Sequence, residues 1–417
     1  MNITALGAAR EVGRSSFLLN GDKTKLLLDS GVLVSREPGF PIHVKPKDID
    51  GIVLTHAHLD HSGNSPSFFL KEGVDIHATA LTLELSGLLI EDFIKLSGLN
   101  LPFESIDLGN MLKRAKGVNN NDESQIGEFR IKFFEAGHIP GASIIRMDNG
   151  EKRVLYTGDI SLHDMNLIRG AVTDWGDLDL IITESTYATA DHPPRNQVEE
   201  DFVLFLKEVV ERSGVALIPA FSVGRAQEMA CILRKRNFPY PVAMDGMALK
   251  TNEILLRYPE SLKDPSLFKK SIDNLELIRT IADRKRIVKQ PSVIISPAGM
   301  LVGGASVFYN NELSRSSKNA ICIVSFQVPG TPGRTLLERG LTIINGRPHK
   351  VKAEVRRFDF SSHSGKTEMM NLFRNVKGNP KVLTVHGEAE SCIKFAEDLR
   401  SIGLDSSAPI AGENFKI

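Results

Sequence analysis

Cysteine and tryptophan are scarce in this 417-residue chain, which has three of the first and one of the second. Cys231, Cys322 and Cys392 lie far apart in mostly apolar stretches and form no C-x-x-C pair. A disulfide framework and a cysteine-based zinc site are therefore disfavoured, and sparse thiols suit a reducing cytoplasm, the expected location. An excess of either charge is also missing, since 51 Lys+Arg face 51 Asp+Glu. Phosphate affinity comes from clustered Lys and Arg, so a nucleic-acid partner would need a local basic surface, and composition alone argues mildly against one. Trp175 and the five tyrosines are not interleaved with basic residues as base-stacking platforms are. The start, MNITALGAAREVG, has no basic segment leading into an apolar run, so no secretory leader is expected. The longest uncharged stretch, 291–311, is broken by Pro297, Gly299, Gly303 and Gly304 and reads as strand and turn rather than membrane span. There is no repeat of fixed period and no low-complexity tract. What remains is a globular composition, 41% hydrophobic, long enough for two to three domains at roughly 100 to 200 residues each.

Six short apolar runs share one habit: LLLDSG, GIVLTH, RIKFFEAGH, KRVLYTGD, LDLIITES and KVLTVHGE each end in a histidine or a carboxylate. Buried strands read as apolar runs of 4 to 8 residues, and sheet proteins gather chemistry where strands finish. Asp29, His56, His138, Asp159, Glu184 and His386 are thus expected to converge on one sheet edge. Residues 189–361 differ, with their own alternation of strand and helix. VALIPAF and YPVAMDG read as strands, SVGRAQEMACILRKR opens a helix, and PSVIISPAGM begins a further unit that ends in AICIVSF. The first architecture is therefore expected over 1–188 and again over 362–417, with 189–361 an inserted α/β domain.

The sharpest local feature is His56-Ala57-His58-Leu59-Asp60-His61, the pattern H-x-H-x-D-H at a strand's end. Only 11 histidines exist in the chain and three fall in this turn, which makes a chance surface turn a poor explanation. In an extended or turning segment, residues two apart point the same way, so His56 and His58 suit one ion while Asp60 and His61 reach another. Imidazole with carboxylate suits zinc, with manganese or iron as competitors. His138 would complete the first set and His386 the second, with Asp159 bridging two cations about 3.5 to 4 Å apart. Asp29 is expected behind the ligands, accepting a hydrogen bond from a ligand imidazole and fixing its tautomer.

Asp29, the H-x-H-x-D-H turn, His138 and Asp159 resemble, in order, the four motifs of the metallo-β-lactamase superfamily. Glu184 in ESTY, His363 in FSSHSG and His386 in VHGE resemble the three added motifs of its β-CASP nuclease branch. The resemblance spans essentially the whole chain and points to the nuclease subunit of the cleavage and polyadenylation specificity factor and its short archaeal relatives. It implies an α/β protein: an αββα metallo-β-lactamase sandwich with an inserted Rossmann-like β-CASP domain, and an active site in the cleft between the two. It also implies two Zn2+ per chain and RNA, single-stranded, as substrate, because RNA-cleaving members have His at the last motif where DNA-processing members have Val. A homodimer and a place in an RNA-processing or decay complex are open expectations of the same resemblance.

Hydrolysis of RNA needs an attacking hydroxide, neutralisation of charge on the phosphoryl oxygens and a proton for the leaving oxygen. Two zinc ions, held by Asp60, His61 and the other ligands, would supply the first two. His363, oriented by Glu184, is the expected acid. Ser222, Gly224 and Arg225 at a strand-to-helix turn, and Ser364 beside His363, are candidate phosphate contacts. Two basic segments, 263–290 with 8 basic against 4 acidic residues and 346–357 with 5 against one, lie inside the insert. Internal cleavage is the expected mode, with a 5′-to-3′ exonuclease of RNase J type as the alternative. A small-molecule metallo-hydrolase or a scaffold subunit without activity fits less well, because about 170 inserted residues serve neither lactonase chemistry nor a site that has lost ligands, and no ligand is missing here.

Overall fold

The computed structural model describes all residues except 36, 71–73, 98–99, 329 and 345. The chain divides into two compact units, one formed by Met1–Asp164, Gly170–Asp191 and Ser362–Ile417, the other by Met165–Arg169 and His192–Ser361. The short piece Met165–Arg169 has no counterpart in the sequence pattern. It joins the second unit because Glu228 accepts hydrogen bonds from the backbone N–H groups of Asn166 and Leu167, at 3.1 and 2.8 Å.

The first unit runs β1 Asn2–Gly7, β2 Ser16–Asn20, β3 Lys25–Leu28, β4 Gly51–Val53, α1 Leu59–Ser62, β5 Asp75–Thr79, α2 Ala80–Ser97, α3 Ser105–Lys113 and β6 Ala115–Val118. It continues through β7 Glu123–Ile126, β8 Phe129–Glu135, β9 Ser143–Asp148, β10 Arg153–Tyr156 and β11 Leu178–Glu184. The second unit holds α4 Arg195–Glu211, β12 Val215–Pro219, α5 Arg225–Lys235, β13 Val242–Asp245, α6 Met247–Leu255, α7 Pro265–Asp273, β14 Glu276–Ile278, α8 Ile281–Ile287 and β15 Ser292–Ser296. It closes with α9 Gly304–Leu313, β16 Ala320–Ile323, α10 Pro332–Arg339, β17 Leu341–Ile344, β18 Arg347–Lys350 and β19 Glu354–Arg357. The first unit then resumes with α11 Lys366–Arg374, β20 Gly378–Val385, α12 Ala389–Ser401, β21 Ser406–Ser407 and β22 Asn414–Lys416.

Two seven-stranded sheets form the first unit, ordered β22-β1-β2-β3-β4-β5-β6 and β21-β20-β11-β10-β9-β8-β7. Alternate residues of each strand face the other sheet, so Phe17, Leu19, Leu26 and Leu28 from one share a core with Phe129, Phe133, Ile145 and Leu180 from the other. The opposite face of the first sheet buries Leu27 and Ile52 against Leu83, Ile90 and Phe93 of α2 and Leu108 and Met111 of α3. Helices α11 and α12 meet through Phe373 and Phe395, and α12 lies along β20. This is the αββα sandwich expected. A fully buried Phe of this kind contributes about 1.5–3 kcal/mol in transfer terms.

The second unit is a six-stranded parallel sheet, β14-β13-β15-β12-β16-β19, with the two-stranded β17–β18 hairpin apart from it. Its strands VALIP, VAMD, SVIIS and AICI are near-continuous apolar runs because helices pack on both faces. The three cysteines are free and buried. Among the described residues no helix is long and apolar enough to cross a membrane.

Candidate metal centre

The six chemistry-bearing strand ends do not share one sheet edge, as the sequence pattern suggested. Two come from one sheet and four from the other, which face each other across the core. Parallel β3 and β4 pair in the register Leu28 to Val53, which sets Asp29 beside the Thr55-His56 turn. Parallel β10, β11 and β20 pair Tyr156 with Ile182 and Glu184 with Val385, so Asp159, Glu184 and His386 leave three adjacent strands at one end. His138 sits in the β8–β9 turn. The N–H of Ser143 donates to the Thr55 carbonyl at 2.9 Å and ties the two sheets together there.

The H-x-H-x-D-H segment is only partly extended. His56 and His58 lie in the loop after β4, while α1 begins at Leu59 and carries Asp60 and His61 on its single turn. The loop fits tightly. A Cβ on Gly31 would lie 1.7 Å from the Asp60 carbonyl oxygen, and one on Gly158 2.7 Å from Thr55 Cβ, so both positions exclude larger residues. Asp29 and His386, at φ 55° and 48°, hold a left-handed backbone that non-glycine residues seldom adopt.

Partners outside the cluster decide which ring nitrogen of several histidines faces inward. His138 Nδ1 lies 2.9 Å from the Ser362 carbonyl, which can only accept, so the proton is on Nδ1 and Nε2 presents a lone pair. Asp29 accepts from His61 Nδ1, from Thr55 N–H and from Thr55 Oγ1, each at 2.7 Å. Having given its proton to Asp29, Thr55 Oγ1 accepts from His56 Nδ1 at 3.1 Å, and His56 Nε2 turns inward. That nitrogen is fully buried, makes no hydrogen bond and lies 3.6 Å from Asp159 Oδ2.

Inside this ring of orienting contacts, donor atoms crowd together. His138 Nε2 is 3.1 Å from His58 Nδ1 and 3.5 Å from Asp159 Oδ2. His61 Nε2 is 3.3 Å from His386 Nε2 and 3.2 Å from Asp159 Oδ1. His386 in turn lies 3.3 Å from Asp60 Oδ2 and 3.1 Å from Asp159 Oδ1. Two overlapping sets result, His56-His58-His138-Asp159 and His61-Asp159-His386, with Asp60 closing a third with His56 and His61. Facing imidazole nitrogens with a carboxylate between them are unfavourable unless a cation neutralises the lone pairs, so the donor set fits one or two divalent ions.

The electrostatics agree. Burial pushes the His56, His58 and His138 imidazoles below their ordinary value, leaving them neutral and able to ligate. Burial also opposes a charge on His61, but the Asp159 and Asp29 carboxylates overcome it and hold the group well above the usual range. Asp159 and Asp60 stay well below the carboxylate range in spite of burial, because imidazoles surround them. The site favours a positive charge at its centre.

A dyad borders the cluster, and with Asp159 it forms a further group of donor atoms close enough to hold an ion. His363 Nδ1 lies 2.9 and 2.8 Å from the two oxygens of Glu184, whose Oε1 also accepts from the Ile160 N–H at 2.6 Å. Burial works against protonation of His363, but Glu184 raises it to about 9. Its ring stands 4.6 Å from that of His138. Ser364 Oγ accepts from the Leu162 N–H at 2.8 Å, so it braces the loop that follows Asp159.

Ser222, Gly224 and Arg225 lie in the second unit, where Gly224, at φ 81°, caps α5. The N–H groups of Arg225 and Ala226 already donate to the Val223 and Phe221 carbonyls, and Ser222 Oγ contacts Met247 Sδ. Sequence reasoning gave no role to Thr55, Ser15 or Tyr156. Thr55 sits next to the motif, so its place was open to inference. Ser15 Oγ, 3.3 Å from His61 Nε2, and Tyr156, buried near Asp29, carry no local signal. Of the remaining histidines, His77 meets Ser124 at 2.6 Å, His192 meets Asp359 at 2.9 Å and His163 lies 3.6 Å from Glu368.

Comparison with known proteins gives a consistent answer. Residues 9–199 match the metallo-beta-lactamase superfamily, 226–336 the Beta-Casp domain and 348–409 the Zn-dependent metallo-hydrolase RNA specificity domain. RNase aCSPSF2 of Saccharolobus solfataricus is 37% identical over 99% of the chain and 84% of its own length. Probable RNase MJ4 of Methanocaldococcus jannaschii is 36% identical over the full length of both, and the transcription termination factor FttA of the same organism is 32% identical over 96% of the chain and 69% of its own length. A crystal structure of a protein of unknown function from Enterococcus faecalis shares the fold, with a TM-score of 0.64 at 15% identity over 99% of each chain. With the ligand cluster in place, these matches establish that the chain belongs to the metallo-beta-lactamase superfamily, as a metal-dependent hydrolase of its Beta-Casp branch.

Proposed function

We propose that the protein is a two-zinc ribonuclease that cleaves single-stranded RNA internally, in the cytoplasm. The observation that carries the reading is the meeting of five imidazoles, His56, His58, His61, His138 and His386, with Asp60 and Asp159, bordered by the Glu184–His363 dyad. The ribonuclease names of two relatives and the match to an RNA specificity domain support RNA as substrate. In this reading residues 1-188 and 362-417 form the hydrolase domain and 189-361 the insert.

His56, His58 and His138 would hold one ion, Asp60, His61 and His386 the other, with Asp159 shared. Bound zinc would supply an acidified water and neutralise charge on the scissile phosphate. The chain's own residues do the rest. Asp29 and the Ser362 carbonyl fix the tautomers of His61 and His138. Glu184 holds Nδ1 and keeps His363 protonated through neutral pH, so that the imidazolium can serve as the acid for the departing oxygen. Free buried thiols are in keeping with a reducing compartment.

The test pairs metal content with cleavage mapping of a 5′-labelled RNA. About two zinc per chain and internal cuts abolished by a chelator are expected. A metal-free protein, or cleavage that survives chelation, refutes the reading.

A further inference from the structure

Two segments of the insert are basic in sequence, and the structure separates them. Over 263–290 the cations are spread along α7, α8 and the chain between them. Lys269 pairs with Asp273 at 2.9 Å, Arg284 with Asp245 at 2.7 Å, and Arg286 contacts Glu276, while Lys270, Arg279, Lys285 and Lys289 form no ion pair among the described residues. Over 339–357 the cations gather instead on and beside one hairpin. The stretch contains one acid, Glu354, and Glu338 precedes it; each is already taken by a cation from outside, Glu354 by Arg212 at 2.9 Å and Glu338 by Arg334 at 2.6 Å. Arg356 spends its guanidinium over the rings of Phe205 and Phe358, at 4.9 and 5.5 Å. Arg339, Arg347, Lys350, Lys352 and Arg357 are all exposed and form no ion pair or side-chain hydrogen bond among the described residues.

Four of these five lie on or beside one element. Among the described residues the β17–β18 hairpin is a two-stranded sheet with no third strand, and all four residues of β18 are exposed, as is Ile343 on β17. A run of cations is usually a solvated face whose charges are met by nearby acids. Here the nearby acids are spent, on a chain whose net charge is zero. Such an uncompensated patch concentrates polyanions and holds them by counterion release.

We propose that the β17–β18 hairpin, through Arg347, Lys350 and Lys352, binds the phosphate backbone of RNA substrates. The inference rests on the ribonuclease reading above. It gives RNA a contact besides those made by the metal ligands, without base specificity.

The test is the triple variant Arg347→Ala/Lys350→Ala/Lys352→Ala beside a control with Lys270, Lys285 and Lys289 changed to Ala. Binding of a 30-nucleotide RNA is measured across salt, together with cleavage of the same RNA. Removing three phosphate contacts should flatten the slope of log affinity against log salt by about 2 and weaken binding about tenfold at low salt. KM for the RNA should rise while zinc content and the control's binding stay unchanged. An unchanged slope in a triple variant that still cuts, or equal losses in the control, overturns the hairpin assignment. So does a variant that binds RNA normally but loses polyglutamate, which would give the surface to an acidic protein. If the wild-type chain itself neither binds nor cuts RNA, the ribonuclease reading fails, a result the wild-type arm shows separately.

Discussion

Replacing Glu184 with Gln tests the division of labour in the site most sharply. Glu184 Oε1 accepts from both Ile160 N–H, at 2.6 Å, and His363 Nδ1, at 2.9 Å, and a Gln carbonyl oxygen in the same place can keep both bonds. What is lost is the charge, together with the 2.8 Å contact of Oε2 with Nδ1, which an amide NH2 cannot accept. With Glu184 present His363 sits near 9, against an ordinary 6.5, a difference worth about 3 kcal/mol of proton affinity. Without it, burial pushes His363 down and only Asp159 and Asp60 still pull it up. The protonated acid is present below about 9 in the native protein and is lost as pH rises through that value, whereas the variant loses it at a lower pH, toward the ordinary 6.5. At pH 8 the protonated fraction falls from about 0.9 to about 0.03, a roughly thirtyfold loss of rate, while at pH 6 the two proteins should differ less than about twofold. The assay is single-turnover RNA cleavage between pH 6 and pH 9, with zinc measured in the same samples. A loss of equal size at every pH would refute the claim that Glu184 acts through the charge of His363.

Other outcomes follow from the same geometry. His363→Ala should keep its full zinc content and lose about 10²- to 10⁴-fold in cleavage, and loss of metal would make His363 a ligand instead. Asp29→Asn keeps the left-handed backbone, which Asn tolerates, but presents an amide to three donors, so zinc affinity should fall about 10- to 100-fold by titration against a chelating dye. Gly31→Ala drives a methyl into the Asp60 carbonyl and should cost about 3 kcal/mol in urea unfolding together with loss of metal; a stability equal to wild type would mean that the loop has room the structure does not show. On 5′-phosphate and 5′-hydroxyl RNA the internal cuts should be the same, and mononucleotide release that depends on the phosphate would replace internal cleavage with 5′ trimming.

Legibility varied with the distance over which residues cooperate. The His56–His61 cluster was plain because four ligands occupy six residues of one turn, where spacing alone constrains direction. The strands were plain because layers buried on both faces need apolar runs, and VALIP, SVIIS and AICI could be nothing else. Thr55, by contrast, reads as an ordinary residue before a motif. Its part in handing a proton to Asp29 and taking one from His56 exists only once β3 and β4 lie side by side. Ser362 is more hidden still, since it contributes a backbone carbonyl, which every residue has.

By itself the sequence determined what each element is and which residues carry chemistry, because hydrophobic period and residue type are local properties. Tertiary structure alone decided that two facing sheets, not one edge, supply the ligands, that Met165–Arg169 leaves its neighbours for the other unit, and that the cations of one basic segment are spread along two helices while those of the other gather on a hairpin. Each of these depends on which distant group lies within about 3 Å, and a Coulomb or hydrogen-bond partner at that range is set by packing rather than by order along the chain.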